Sequence, residues 1–359
     1  MRSQPEPMIR CAAMNPLPVE RNRPGEVSTA TPNIIVVVVS YNSAHELPAC
    51  LSSLEAQQGV MTEIHVVDNA SRDESVTLTR RDFPRVRLTV NRENAGFARA
   101  NNQVLESSLA EFYALVNPDT VVSPGAIAAC VAALRNDPRV GVAGTRLLNA
   151  DGSLQPSCYT FLGLRNLFGE TFGIHRLLPG IRPFSSFRMP WFEHDRVAEV
   201  DWIPGAFLVV RGEVVRTVGA FDDSFFMYGE EMDWCRRMHD AGWKVLFLPE
   251  PAVLHLVGAS SKPNAGPMFV ENLMGRIHFL RKHRGEDVAA AARALVAASV
   301  LLRFVWCEAR ALAHSAVGRS SPESERLAQT MFRAAMRWVA HGLPVTARDM
   351  AEKSSQPPL

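Results

Sequence analysis

From Ile34 onward the chain alternates between short β-branched runs and segments whose apolar residues recur at helical spacing. The runs "IIVVVV", "EIHVV", "VRLTV" and "FYALV" have strand length, and "IIVVVV" is apolar at every position, as a strand buried on both faces requires. Between them, "HELPACLSSLEAQQG" sets Leu47, Leu51 and Leu54 on one helical face, with Gly59 shortly after, and "FARANNQVLESSL" is helix-like. "SPGAIAACVAALRND" places Ser123 as N-cap and Pro124 at the first helical position. Strands alternating with helices predict an α/β fold with a mostly parallel central sheet through about residue 145.

Beyond that point, "LLNADGSLQPS" predicts a hairpin turning at Asp151-Gly152. Residues 157–198 carry Phe, Arg, Pro and Gly without clean periodicity, as a substrate-facing insertion or a long connection would. Regular pattern returns with "VDWIPGAFLVV", the helix-like "RGEVVRTVG" and "GEEMDWCRRMHDAG", and the strand "WKVLFL". From about residue 268 the chain is helical and Ala-rich. "DVAAAARALVAASVLLRFVW" approaches the length of a membrane span, but Arg293 and Arg303 interrupt it. An Arg at mid-bilayer costs about 2.5–3.5 kcal/mol on insertion scales, which favours a helix lying on a membrane surface or packed on the domain. Residues 1–32 lack a continuous apolar stretch and predict a disordered lead-in; 353–359 predict a frayed tail. The division expected is therefore 1–32, an α/β domain over 33–267, a helical region over 268–352 that would pack on the domain or associate with a membrane, and the tail.

Composition changes this picture little. The chain has 359 residues, 47% hydrophobic and 21% charged, with a net charge of +1. Bulk attraction to nucleic acid is thereby missing. Six scattered cysteines without a CxxC pair fit reduced thiols in a cytoplasmic setting.

Candidate chemistry lies where two apolar runs stop. "VVDNAS" delivers Asp68 and "LVNPDT" delivers Asp119. In open α/β sheets ligands bind beyond the carboxyl ends of the strands, although an isolated Asp there also serves as a turn or cap residue. Small polar residues in "SYN", "DNAS" and "NRENAGFARANN" join them along one sheet edge suited to a nucleotide. Neither a P-loop nor a GxGxxG fingerprint is present.

In order, "VVVVSYNSAHELPACLSSL", "HVVDNASRDES", "NRENAGFARANN", "ALVNPDT", "DWIPGAFLVVRGEVVRTVGAFDDSFFMYGEEMDWCRRMHDAGWKV" and "HLVGASS" resemble the inverting family-two nucleotide-sugar glycosyltransferases of GT-A fold, especially the rhamnosyltransferase-like members. The resemblance covers residues 33–262 and implies a Rossmann-like sheet flanked by helices. It implies a nucleotide pocket of Ser40, Tyr41, Asn42, Asp68, Asn94, Gly96 and Asn117, with Asp68 on the base. Gly96, lacking Cβ, would let backbone approach the ligand, unless it is only a turn glycine. Asp119 and His255 would hold Mn²⁺ or Mg²⁺ against the sugar diphosphate, although Asn117 replaces the first carboxylate of the family's DxD motif. Imidazole suits manganese better.

Glu231 corresponds to the family's general base, with Glu230 as the other candidate. Helical spacing puts Glu231 on one face with Trp234, Cys235 and Met238, and sets Asp233 and Arg237 apart as a solvent-side ion pair. Trp202 and Gly205 would shape the acceptor side, Trp202 offering a flat surface to a sugar unless it belongs to the core. The donor implied is dTDP-L-rhamnose, then a UDP-sugar; the acceptor is a saccharide or polyprenyl-diphosphate-linked saccharide in cell-surface polysaccharide synthesis, at the inner face of the plasma membrane. The basic run Arg276, Arg281, Lys282, His283 and Arg284 would suit an anionic membrane surface, or form a solvated helix face. A non-catalytic nucleotide-sugar-binding or scaffold protein of the same fold is the alternative.

Overall fold

The computed structural model describes residues 34–174, 186–256, 265–316 and 322–343, all within one compact unit beginning at Pro32. The predicted lead-in, the tail, Cys11 and the "GASS" end of the last motif lie outside the described residues.

A ten-stranded sheet forms the centre. Strands β1 (Ile34–Ser40), β2 (Thr62–Asp68), β3 (Arg87–Val90) and β4 (Phe112–Val116) pair in parallel in the order β3-β2-β1-β4. This is the half that the alternating pattern predicts. Beside β4, β9 (Phe207–Arg211) runs antiparallel and bridges to β6 (Val140–Leu148), which pairs in parallel with β10 (Lys244–His255). The two-residue β5 (Thr120–Val121) closes the far edge antiparallel to β10. β7 (Leu154–Gln155) completes the predicted hairpin with β6, and Gly152 supplies its positive φ of 79°. β8 (Ala198–Val200) pairs with β10.

The residues of β1 alternate between two cores because a strand points successive side chains to opposite faces. Ile34, Val36 and Val38 pack with Leu47, Leu51 and Leu54 of α1 (Leu47–Glu55) and Ile127, Val131 and Leu134 of α4 (Ala126–Asn136). Ile35 and Val37 pack with Ala98 and Val104 of α3 (Phe97–Leu105), Val214 of α6 (Gly212–Val218) and Trp234, Cys235 and Met238 of α7 (Glu230–Asp240). The short α2 (Ser75–Asp82) lies beside α1 and β3. Five cysteines are buried free thiols.

Three local expectations are corrected. Helix α4 starts at Ala126 behind the left-handed Gly125 rather than at Pro124, and the Ser123 hydroxyl donates to the Ala252 carbonyl instead of capping. The irregular stretch contains α5 (Leu164–Thr171), whose first turn is held by Asn166 Oδ1 accepting from Gly163 N–H at 2.7 Å. Much of the basic run on α8 (Ala265–Arg284) is paired within the fold, while Arg284 stays exposed. Arg276 is buried against Glu170 at 3.1 Å, Lys282 pairs with Asp222 and Asp233, and His283 with Asp233. Such inward use follows from burial, since a carboxylate removed from water must find cations.

Helices α9 (Glu286–Ala316) and α10 (Glu323–Ala340) pack on α8, and α9 also on α5. A third core joins Leu273, Ile277 and Leu280 of α8 to Val296 and Val300 of α9, to Met232 of α7 and to Phe225 just ahead of it. The C-terminal helices thus touch the elements that carry the candidate site.

Candidate active site

Asp68 is the last residue of β2 and stands in register with Ser40, the last of β1. Parallel register puts their side chains side by side beyond the sheet. Both are buried, and both keep an unpartnered oxygen: Ser40 Oγ and Asp68 Oδ2. Asp68 Oδ1 is occupied, accepting from Ser71 N–H at 2.9 Å. Two neighbouring orphan acceptors at one strand end are what a base edge with N–H donors would satisfy.

The pocket edge is built by asparagines. Asn69 donates to the Gly96 carbonyl at 3.1 Å and accepts from Asn91 Nδ2 at 2.8 Å. Asn94 Oδ1 accepts from Gly96 N–H at 3.0 Å, so Asn94 shapes the loop it was expected to line. Asn42, exposed and at φ 51°, ties to the neighbouring loop through Ser71 Oγ and Arg72 N–H, while Tyr41 is 39% exposed beside it. Gly96 is corrected in its reason. With φ 83°, a Cβ there would lie 2.5 Å from the Phe226 carbonyl oxygen, so the close approach is to this chain's own backbone.

The second cluster forms because β5 pairs antiparallel with β10, setting Thr120 opposite His255. Asp119 lies in the turn after β4, beyond the end of the apolar run, with Oδ1 3.2 Å from His255 Nε2. Gln155 Oε1 takes the other ring nitrogen, Nδ1, at 2.8 Å, and its own Nε2 donates to Asn149 Oδ1 at 3.1 Å. That chain places a proton on Nδ1 and turns Nε2 toward a carboxylate oxygen. Two acceptors 3.2 Å apart repel unless a cation or proton stands between them. The donor set, one carboxylate and one imidazole, therefore fits a divalent metal. No group of three His, Cys, Asp or Glu side chains able to hold a metal occurs among the described residues, so phosphate and water would complete the shell. Asn117 does not supply a carboxylate; its Nδ2 sits 3.4 Å from His255 Nε2.

One loop connects this cluster to α7. The Ala206 carbonyl accepts from Asn117 N–H at 3.0 Å and from Thr120 Oγ1 at 3.2 Å. The adjacent Gly205 N–H donates to Glu231 Oε1 at 2.9 Å. A Cβ on Gly205 would meet that oxygen at 2.8 Å and the Phe97 ring at 3.0 Å, so any larger residue would push the Glu231 carboxylate aside. Asp119 and Glu231 accordingly sit at the two ends of a two-residue bridge. Tyr228, at φ 68°, spans the same space: burial first, then the charges of Glu230, Glu231 and Asp119, push its hydroxyl up to about 12.

Glu231 is half-buried, and burial raises its carboxyl above the usual range. Glu230 is buried further, with Oε2 unpartnered, and is raised well above the usual range by burial and then by the charge of Glu231. Glu271, reaching in from α8, is raised by burial as well. The Asp233–Arg237 pair is corrected: Asp233 is fully buried, bonded to Arg237 at 2.9 Å, Lys282 at 2.7 Å and His283 at 2.8 Å. The i,i+4 pair exists, but α8 covers it. Trp202 is half-buried with one face stacked on Tyr159 at 4.2 Å, and its Nε1 donates to the Thr160 carbonyl.

Sequence reasoning brought Ser40, Asp68, Gly96, Asp119, His255 and Glu231 to one end of the sheet, and missed Asn69, Asn91, Gln155, Tyr228 and Glu271. Asn69 was visible in "DNAS", and Tyr228 in a Tyr-Gly step before a helix; Gln155 and Glu271 carry no local signal.

Comparison with known proteins agrees with this geometry. The family model described as "Glycosyl transferase family 2" matches residues 35–194, and one described as "Glycosyltransferase (GlcNAc)" matches 128–297. An N-acetylglucosaminyl-diphospho-decaprenol L-rhamnosyltransferase of Mycobacterium tuberculosis is 30% identical over 238 residues, covering 61% of this chain and 75% of that one. Rhamnosyltransferase WbbL of Escherichia coli is 29% identical over 85 residues, 24% of this chain and 32% of that one. The fold is similar to that of mannosyltransferase PcManGT from Pyrobaculum calidifontis, solved with GDP-Man and Mn²⁺, at TM-score 0.52 and 17% identity over 88% of each chain. With the strand-end carboxylates, the bridging Gly205 loop and these matches together, the chain belongs to the family 2 glycosyltransferases of GT-A fold.

Proposed function

We propose that this glycosyltransferase is inverting and uses a divalent cation, moving L-rhamnose from dTDP-L-rhamnose to a polyprenyl-diphosphate-linked saccharide. The observation that carries the reading is the Gly205–Ala206 bridge, which bonds Glu231 at one residue and Asn117 and Thr120, either side of Asp119, at the other. The donor and acceptor classes rest on the printed activity of the mycobacterial relative. An acceptor of that kind places the enzyme at the cytoplasmic face of the membrane.

Ser40 and Asp68 bind the base edge through their unpartnered oxygens. Asp119 and His255 hold Mn²⁺ or Mg²⁺, which supplies countercharge to the diphosphate leaving group. Glu231, its proton affinity raised by burial and its carboxylate aimed by Gly205 N–H, takes the proton of the acceptor hydroxyl. That oxygen attacks the anomeric carbon from the side opposite the leaving group, so one displacement inverts the configuration.

The test mixes the pure chain with a panel of nucleotide sugars, Mn²⁺ and a lipid-diphosphate saccharide, and measures nucleoside diphosphate release and product. Glu231→Gln is expected to lower transfer about 10²–10⁴-fold while donor binding persists. Turnover retained by Glu231→Gln refutes the base; donor binding without transfer to any acceptor refutes the enzyme and leaves a nucleotide-sugar-binding protein.

A further inference from the structure

Helix α9 is apolar on both of its faces. Its inner face buries Ala289, Ala292, Val296 and Val300 against α5, α8 and α10. On the outer face Leu301, Leu302, Val305, Trp306 and Leu312 are each between 50% and 71% exposed. Exposed alanines at 298 and 309 continue the stripe at three- and four-residue spacing, and no charged residue interrupts it between 298 and 302 or between 304 and 307. A soluble helix ordinarily turns charge outward, and a contiguous bare apolar face marks an interaction surface.

We infer that this outer face of α9 seats in the interfacial layer of a lipid bilayer, with the helix lying parallel to the membrane. The charges at its margins have the arrangement such a helix needs. Arg310 pairs with Glu325 and lies over the Trp306 ring at 4.8 Å, which leaves the half-exposed indole at the rim of the stripe, where an interfacial aromatic anchors. Arg303, one heptad earlier, turns away from this face to the Thr171 carbonyl and the Phe332 ring, so it puts no charge on the stripe. The acidic Glu308 on the opposite edge is neutralised by both nitrogens of Arg333, at 2.6 and 2.8 Å.

Two other occupants fit less well. From Ala298 to Leu312 the stripe is about 21 Å long and one helix wide, roughly 200 Å². A stable dimer buries about 800 Å² per partner. A transmembrane span, for which Glu286–Ser315 is long and apolar enough, would strip the inner face from α8 and α10 and break the Arg303 bond to the Thr171 carbonyl at 2.7 Å.

The inference deepens the lipid-linked acceptor reading, yet its test needs no donor or acceptor. The full chain is floated with vesicles of phosphatidylcholine, alone and mixed with phosphatidylglycerol, and the bound fraction is measured. Wild type is expected to float, more strongly with phosphatidylglycerol, and to be released by alkaline carbonate. The double substitution Leu301→Glu, Val305→Glu is expected to lower the bound fraction by at least about tenfold while circular dichroism and nucleotide binding stay unchanged. As a second probe, brominated lipid is expected to quench tryptophan emission in wild type and much less in Trp306→Phe. Wild type failing to float, or the double variant floating equally, overturns the inference. So does retention after carbonate, which means a span, or a wild-type dimer that the double variant splits. A chain that floats but releases no nucleoside diphosphate sinks the enzymatic reading and leaves this one standing.

Discussion

Glu230 and Glu231 are successive residues of one helical turn with different surroundings. Glu231 has Gly205 N–H to bond, whereas Glu230 keeps a buried oxygen without a partner. Its raised proton affinity means the folded state holds the proton more tightly than the unfolded chain does. The stability this gives is fully present below the unfolded value near 4.3 and is lost as pH rises through the folded value. Glu230→Gln is therefore expected to raise the melting temperature at neutral pH and to change little at pH 4. Equal effects at both pH values, in thermal scans of the two proteins, would rule out this account. The same sign governs turnover on the proposed mechanism: Glu231 would have to be ionised to act as base, so the acid limb of the rate profile is expected above the ordinary carboxylate range. That Glu231 is sheltered was legible from its helical neighbours Trp234, Cys235 and Met238. That Glu230 is the more buried was not, because its cover comes from elsewhere in the fold rather than from α7.

At the scale of elements, α8 is fastened to α7 in two ways that the sequence hides. Gly275 lets α8 lie against the backbone ahead of α7; a Cβ there would sit 1.9 Å from the Tyr228 carbonyl oxygen. Asp233 accepts from Arg237, Lys282 and His283. Burial alone would raise its carboxyl, but the bonds from His283, Lys282 and Arg237 outweigh burial and hold it below the usual range. Removing that charge takes a carboxylate from Arg237 and His283 while Lys282 keeps Asp222, so Asp233→Asn is expected to cost about 1–3 kcal/mol of unfolding free energy in urea titrations at neutral pH. A depressed carboxyl gives stability that is present above its unfolded value and lost as pH falls through the folded one, so the difference should shrink in acid. Gly275→Ala should instead displace Tyr228 and lower turnover at least about tenfold, with smaller loss of stability. Unaltered turnover in a folded Gly275→Ala protein would mean that α8 does not position the site. Local rules misread Asp233 because i,i+4 spacing names Arg237 and says nothing of cations fifty residues on. The basic run of α8 was misread for the same reason.

On the scale of the molecule, the parallel half of the sheet was legible because strands buried on both faces announce themselves as unbroken β-branched runs. The antiparallel entry of β9 between β4 and β6 was not, since pairing direction is a tertiary choice. That choice matters, because β9 begins just after Gly205–Ala206 and so carries the bridge between the two clusters. On the proposed function a nucleoside diphosphate joins three regions: the Ser40–Asp68 edge, the Asp119–His255 pair and the bridge beside Glu231. Binding that draws on all three stabilises the whole chain only when the diphosphate and its cation arrive together. At a ligand concentration of 100 Kd the folded state gains about 2.7 kcal/mol. Nucleoside diphosphate with Mn²⁺ is accordingly expected to raise the melting temperature by more than the separate shifts added, measured by calorimetry. Asp119→Ala is expected to remove the excess while leaving the small shift from nucleoside alone, which Asp68→Ala removes instead. If the nucleotide gives its full shift in the presence of chelator, the Asp119–His255 pair holds no cation during binding, and its facing acceptors must share a proton.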